Sequence, residues 1–108
     1  VGAITHSQVT EAFYVVSGSA TLVTGGDVIK PVAFPADIEI VKIAVGPSTN
    51  GTFKAGDRLP IAAGDIIILP AGVPDGFDDI KEELTYLSIR PDPDHVLPAG
   101  YVHPALRK

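Results

Sequence analysis

The stretch GDIIILPAGVPDGF, residues 64–77, places an isoleucine-rich run between a glycine and a proline-punctuated turn. IIIL at 66–69 predicts a short β-strand, because β-branched side chains fit a pleated sheet. The PAGVPDG that follows predicts a turn, since proline fixes φ and glycine accepts positive φ. Eleven Gly and ten Pro punctuate similar short apolar runs along the whole chain. This pattern is typical of an all-β sandwich or barrel.

The strand candidates share β-branched or aromatic residues between turn signals. The main ones lie at 12–16, 20–24, 38–45, 66–69 and 84–90, and shorter ones at 4–6, 28–32, 52–54 and 58–61. IEIVKIAV at 38–45 is mostly apolar, which predicts a strand covered on both faces, by the core and by a partner subunit. FDDIKEEL at 77–84 leaves room for one turn of helix at most.

Composition limits the class of protein and its partners. A chain of 108 residues with 45% hydrophobic residues predicts one globular domain with a single core. The net charge of −5 and the scattered basic residues argue against nucleic acid and against an anionic membrane surface as partners. The chain has no cysteine, which excludes disulfides, thiolate nucleophiles and zinc–sulfur sites.

The last eighteen residues differ in character from the rest. Four prolines between positions 91 and 104 are incompatible with a central strand. The same segment is nevertheless apolar, with Val96, Leu97, Tyr101, Val102 and Leu106. The sequence therefore predicts a β-barrel domain at 1–90 and an ordered arm at 91–108 that packs on the barrel or on a partner subunit and buries Tyr101 and Leu106.

His6 and Glu11 are the first candidates for chemistry. In HSQVTEAFYVVSG, four residues separate His6 from Glu11, and six more separate Glu11 from Gly18. A hairpin would let the imidazole and the carboxylate face the same side, where they could form a metal-binding pair. The alternative from these two residues alone is an ion pair near a turn.

Two spacings together resemble the signature motifs of the cupin superfamily. The first cupin motif has His-x-His, three or four residues, Glu, six residues and Gly, and it is matched by His6, Glu11 and Gly18. The second has Gly, five residues, Pro-x-Gly, two residues and His, and it is matched by Gly64 and by PAG at 70–72. The resemblance spans nearly the whole chain, and it implies a small antiparallel β-barrel, or jelly roll.

The resemblance also implies a metal site, which this chain has altered. The superfamily typically uses three His and one Glu, and these positions correspond here to Ile4, His6, Glu11 and Asp75. Ile4 cannot bind a metal, so the implied ligands are His6, Glu11 and Asp75. Such an oxygen-rich set suits Mn, Mg or Fe(II) better than Cu, and Zn and Ni are the other candidates.

Asp75 has two interpretations. It either keeps a weaker form of the metal-binding role or has lost it. Without a metal ion, Glu11 and Asp75 would form a pair of carboxylates in an apolar barrel, which would raise the pKa of at least one of them. Such a pair could share a proton or take part in acid–base chemistry.

Further side chains are candidates for the cavity wall. Strand alternation places Phe13 and Val15 on the side of Glu11, and Phe77 on the side of Asp75. The alternative for these three is an ordinary core. Tyr86, Ser88 and Arg90 alternate along one strand, so they form either an inward face that binds a ligand carboxylate or enol, or plain surface. His95 and His103 of the arm either restore a missing ligand or are packing or surface residues.

Three functions fit these observations. The first is a metal-dependent oxygenase, isomerase or lyase acting on a small oxygenated molecule. The second is a small-molecule-binding module with a degenerate metal site, and the third is a dimerisation module. Cupin domains usually have strands before the first motif, whereas only three residues precede Ile4. The resemblance therefore implies that either upstream residues are absent from this sequence or a second subunit covers the barrel edge. The sequence therefore predicts a homodimer.

Overall fold

The chain forms an all-β fold in a computed structural model that describes residues 1–92 and 96–102. The strands are β1 (Gly2–His6), β2 (Glu11–Ala33), β3 (Ser48–Ala62), β4 (Ile66–Leu69) and β5 (Asp75–Ile89). They make one antiparallel sheet in the order β3-β1-β5-β2-β4, and β3 pairs with β2 as well as with β1. The all-β class predicted from the sequence is confirmed.

Strand β2 is the longest element and organises the sheet. Residues 11–14 pair with β4, residues 12–24 pair with β5, and residues 19–33 pair with β3. The predicted strands at 12–16 and 20–24 are two parts of β2, and the one at 84–90 ends β5. The segment 77–84, which leaves room for one helical turn at most, forms none and continues β5 through irregular pairing with β2.

The prediction of a strand at 38–45 is wrong. Residues Val41–Val45 form a short helical turn, which ends where Gly46 takes a φ of 64° and donates its N–H to the Val41 carbonyl. Val41 and Val45 are buried, whereas Ile38 and Ile40 are exposed. Positions four apart share one face of a helix, so the buried pair follows helical spacing. A short, almost wholly apolar run does not distinguish the two periods.

Gly18 allows β2 and β5 to approach closely. Its φ is 84°, and a Cβ there would lie 2.6 Å from the carbonyl oxygen of Glu83. Any other residue would meet both a backbone clash and an unfavourable φ. The second glycine of the 64–77 stretch, Gly72, also has a φ of 84° and donates its N–H to the carbonyl of His6. This bond ties the turn before Asp75 to the end of β1.

A small core lies on the inner side of the sheet. Its fully buried members are Val15, Ala20, Leu22 and Ile61, and Ile67, Phe77 and Leu84 pack against them. Val15 is therefore an ordinary core residue, which was the alternative to a place in the cavity wall. Within residues 1–92 and 96–102, no helix has the length and apolar character that a membrane crossing requires.

The first part of the arm folds back on itself. The carboxylate of Asp92 accepts the N–H groups of Val96 and Leu97 at 3.0 and 2.9 Å. Tyr101 is half-buried. His95, His103 and Leu106 lie outside the described residues, so the expectations placed on them stay predictions.

Candidate functional site: a buried carboxylate network beside a small cavity

A cavity of about 170 Å³, here called the inner cavity, lies between the strands. This volume corresponds to about five or six water molecules. The three metal ligands implied by the resemblance, His6, Glu11 and Asp75, all line it. The other lining residues are Ile4, Phe13, Phe34, Ile40, Val45, Tyr86 and Arg90.

Glu11 is the centre of a hydrogen-bonded group that we call the Glu11 network: His6, Glu11, Ser88 and Arg90. Glu11 stands first in β2, is only 3% exposed, and turns to the inner face like Phe13. Its Oε1 lies 3.0 Å from Nε2 of His6. Its Oε2 accepts from the Ser88 hydroxyl and from Nε of Arg90, each at 2.8 Å. Every donor reaches Glu11 from another strand or, for Arg90, from the residue just after β5.

The position of His6 is set by Ser48. The two residues are paired in the register of β1 and β3, and Nδ1 of His6 lies 2.6 Å from the Ser48 hydroxyl. That hydroxyl is also placed to donate to the Gly46 carbonyl at 2.9 Å, so its single proton goes to one of the two partners. In both cases Nε2 of His6 carries the proton that Glu11 accepts, since an ionised carboxylate has none to donate.

The network keeps Glu11 ionised. Burial alone would raise the pKa of this carboxyl. The hydrogen bonds from His6 and Ser88, together with the positive charge of Arg90, outweigh burial and lower the pKa from 4.5 to about 2. Glu11 is therefore an acceptor whose lone pairs are already directed at three donors.

Asp75 is the opposite case. It begins β5 beside Ile4, is 8% exposed, and makes no side-chain hydrogen bond within the described ranges 1–92 and 96–102. Burial, followed by the nearby negative charge of Glu11, raises its pKa from 3.8 to about 6. The two carboxyls of one cavity thus differ in pKa, because one has partners and the other has none.

Aromatic rings form one wall beside Asp75. Phe13, Phe77 and Tyr86 pack on one another with ring centroids 4.9 to 5.7 Å apart. Phe13 and Tyr86 line the inner cavity, while Phe77 lines a neighbouring open pocket together with Asp75 and Ile4. Burial and the charges of Asp75 and Glu11 raise the pKa of Tyr86, which keeps its hydroxyl protonated.

The residues present do not fit a resident metal ion in this arrangement. A metal ion would have to displace the Nε2 proton of His6 and the hydrogen bond that it makes to Glu11, whose other oxygen already accepts from Ser88 and Arg90. The guanidinium of Arg90 occupies the position of the cation beside Glu11. In the part of the chain that the structure describes, no three His, Cys, Asp or Glu side chains are grouped to hold a metal.

Two site residues depend on information that motifs do not carry. Arg90 turns inward to Glu11, which settles the alternative that the alternation of Tyr86, Ser88 and Arg90 left open. Ser48 was missed entirely, since it stands in no motif. Only the β1–β3 register brings it opposite His6, and a local sequence pattern does not define that register.

Comparisons with known proteins add no further assignment: no protein-family model, curated protein or solved structure matches this chain.

Proposed function

We propose that this chain is a cupin-type β-barrel that binds a small oxygenated molecule in the inner cavity without a resident metal ion. The pairing of β3 with both β1 and β2 supports a closed sheet, since the pairings run from β3 through β1, β5 and β2 back to β3. The positive φ of Gly18 and Gly72 agrees with their positions in the two motifs.

The observation that carries the proposal is the difference between the two carboxyls. Glu11 is fully engaged, whereas Asp75 faces the same cavity with no partner within the described residues. Asp75 is largely buried, so its ionised form is costly, although its carboxyl oxygens still reach the solvent of the cavity. A ligand that hydrogen-bonds Asp75 would remove this cost, and such unpaired groups in apolar pockets are characteristic of binding sites.

The lining indicates the chemistry of the ligand. Protonated Asp75 donates to a carbonyl, and ionised Asp75 accepts from a hydroxyl. Arg90 uses Nε for Glu11, so its terminal nitrogens have no hydrogen bond among residues 1–92 and 96–102 and suit a carboxylate or enol oxygen. Ile4, Phe13 and Phe34 would contact a short carbon skeleton.

A metal-dependent oxygenase, isomerase or lyase is the less favoured alternative. It would require His6 and Glu11 to exchange their mutual hydrogen bond for a cation placed beside Arg90. A non-catalytic pocket requires no such rearrangement. The arrangement therefore supports binding better than metal-assisted catalysis.

The test is a titration with small oxygenated probes, followed by ¹H–¹⁵N NMR. Pyruvate, lactate and 1,2-propanediol share a three-carbon skeleton and differ in carboxylate and carbonyl groups. The proposal expects saturable shifts, with dissociation constants in the millimolar range, at the amides around Ile4, Asp75 and Tyr86 for at least one acid. The diol should bind more weakly, because it offers nothing to Arg90.

Two variants give the control. Asp75→Asn keeps the size of the side chain but changes its hydrogen-bonding capacity, so probe affinity should fall severalfold. Asp37→Asn, at an exposed position in the segment between β2 and β3, should leave it unchanged. Non-saturating shifts spread over the surface, or equal affinity in both variants, would contradict the proposal.

A further inference from the structure

One outer surface of the sheet is apolar and solvent-exposed. It is formed where β5, β2 and β4 lie side by side. Tyr14 pairs with Ile66 on one side and with Leu87 on the other, and Ala12 pairs with Ile68 and Ile89 in the same way. Paired residues point to the same side of a sheet. The surface, here called the outer apolar face, consists of Tyr14, Val16, Ile66, Ile68, Leu87 and Ile89.

The size of this face matches an interface. Its six side chains are each 40 to 70% exposed. Since a large side chain presents on the order of 200 Å², they expose about 600 Å² per protomer. Two such faces in contact would remove about 1,200 Å² from water, which reaches the lower limit of a stable protein–protein interface.

Its composition favours a second copy of itself. No charged residue stands among the residues paired around Ala12 and Tyr14, where the other residues on this side are Ala12 and, at the margin, Ser17 and Thr85. An uncharged face carries no pattern that would select a partner of opposite charge, and it is compatible with an identical face across a two-fold axis. Strand β4 is the last strand in the sheet order, so it lies at the edge of the outer apolar face.

The exposed area and the absence of charge on this face suit a second copy of the same face. We propose that the outer apolar face is the interface of a homodimer, in which the two sheets pack face to face.

The test is the mass of the chain in solution, measured by sedimentation equilibrium over micromolar to millimolar concentration. The expected result is twice the chain mass of 11.2 kDa at the upper end of this range. Leu87→Asp would place a charge in the interface and should raise the dimer dissociation constant at least about a hundredfold. Ile68→Asp should act in the same way.

Leu59→Asp is the matched control. Leu59 is also a strand leucine, 51% exposed against 56% for Leu87, but it lies in β3, outside the outer apolar face. Thermal unfolding of both variants shows whether they remain folded. A monomeric native chain at the highest concentration would overturn the proposal. Equal weakening of the dimer by Leu59→Asp and by a folded Leu87→Asp variant would overturn it as well.

Discussion

Nε of Arg90 lies 2.8 Å from Oε2 of Glu11, although the two residues are 79 positions apart in the sequence. This contact joins the residue after β5 to the first residue of β2. It gives a buried carboxylate a fixed positive partner. The inner cavity therefore contains an internally neutralised charge, and Asp75 is left as its free carboxyl.

Removal of the guanidinium should expose the cost of burying Glu11. Arg90→Leu is expected to lower the free energy of unfolding by about 2–4 kcal/mol, because the carboxylate loses its charged partner while it stays out of water. Arg58→Leu is the control. Arg58 pairs with Asp78 and Asp79 at the surface, where solvent screens the charges, so its loss should cost much less than the loss of Arg90. Urea unfolding at neutral pH measures both, and equal losses would contradict the role of the Arg90–Glu11 contact.

Asp75 should make the protein less stable as pH rises. Its pKa is raised from 3.8 in the unfolded chain to about 6 in the folded protein, so the folded state binds the proton more tightly. This contribution is present at low pH and is lost as pH passes from about 4 to about 6. Asp75→Asn removes the loss. The free energy of unfolding of Asp75→Asn, taken relative to that of the native chain, should therefore be about 2 kcal/mol more favourable at pH 7 than at pH 4.

Glu11→Gln provides a comparison of opposite sign. The pKa of Glu11 is lowered from 4.5 to about 2, so its contribution is present above the unfolded value and is lost as pH falls toward 2. The destabilisation caused by Glu11→Gln should be about 2 kcal/mol greater at pH 6 than at pH 3. Urea unfolding across this range tests both variants, and pH trends of the same sign would contradict the assignment of the two carboxyls.

Gly18→Ala should be strongly destabilising. The added methyl would meet the Glu83 carbonyl at 2.6 Å, and the φ of 84° disfavours any side chain. We expect a loss of at least about 2 kcal/mol in the free energy of unfolding. Gly2→Ala is the control, since a Cβ there meets no atom within 4 Å and its φ is not in the left-handed region. A small and equal effect of the two changes would mean that β2 and β5 do not approach closely at Gly18.

Position 75 should also report on the altered metal site. Asp75→His would add an imidazole to the cavity, but Nε2 of His6 and the carboxylate of Glu11 are already engaged in the Glu11 network, so Zn or Ni should bind this variant no more tightly than it binds a lone surface histidine. Mn and Mg should gain little, because they prefer carboxylate oxygens. Asp27→His, at an exposed position of β2, is the control for a surface histidine. Calorimetric titration decides the matter, and Zn binding at least about tenfold tighter in Asp75→His than in Asp27→His would contradict the account that His6 and Glu11 are closed to a metal ion.

Local patterns predict the parts of this site that depend on turns and alternation. The spacings around Gly18 and Gly72 reflect positive-φ positions, and strand alternation turns Glu11 and Phe13 to one face. These features are properties of a few consecutive residues. The placement of Glu11 and Asp75 in a single cavity is a long-range feature, and it is implied by the resemblance to the two cupin motifs rather than by these local patterns.

Other parts depend on long-range register or on ambiguous periodicity. The register of β5 with β2 turns Ile89 outward, so Arg90, the next residue, points inward. The partner of His6 follows from the β1–β3 register. Neither is encoded by neighbouring residues. The apolar run at 38–45 fits either a strand or a helix, and only the burial of Val41 and Val45 distinguishes them.

His6 donates a hydrogen bond through Nε2–H to Glu11, and this bond closes the imidazole to a metal ion. Long-range ¹H–¹⁵N correlation spectra of the imidazole, assigned with His6→Gln, observe this nitrogen directly. With one equivalent of Zn at neutral pH, we expect Nε2 of His6 to remain protonated and its shift to stay unchanged. Loss of the Nε2 proton at one equivalent, with the shift of a metal-bound nitrogen, would contradict the account.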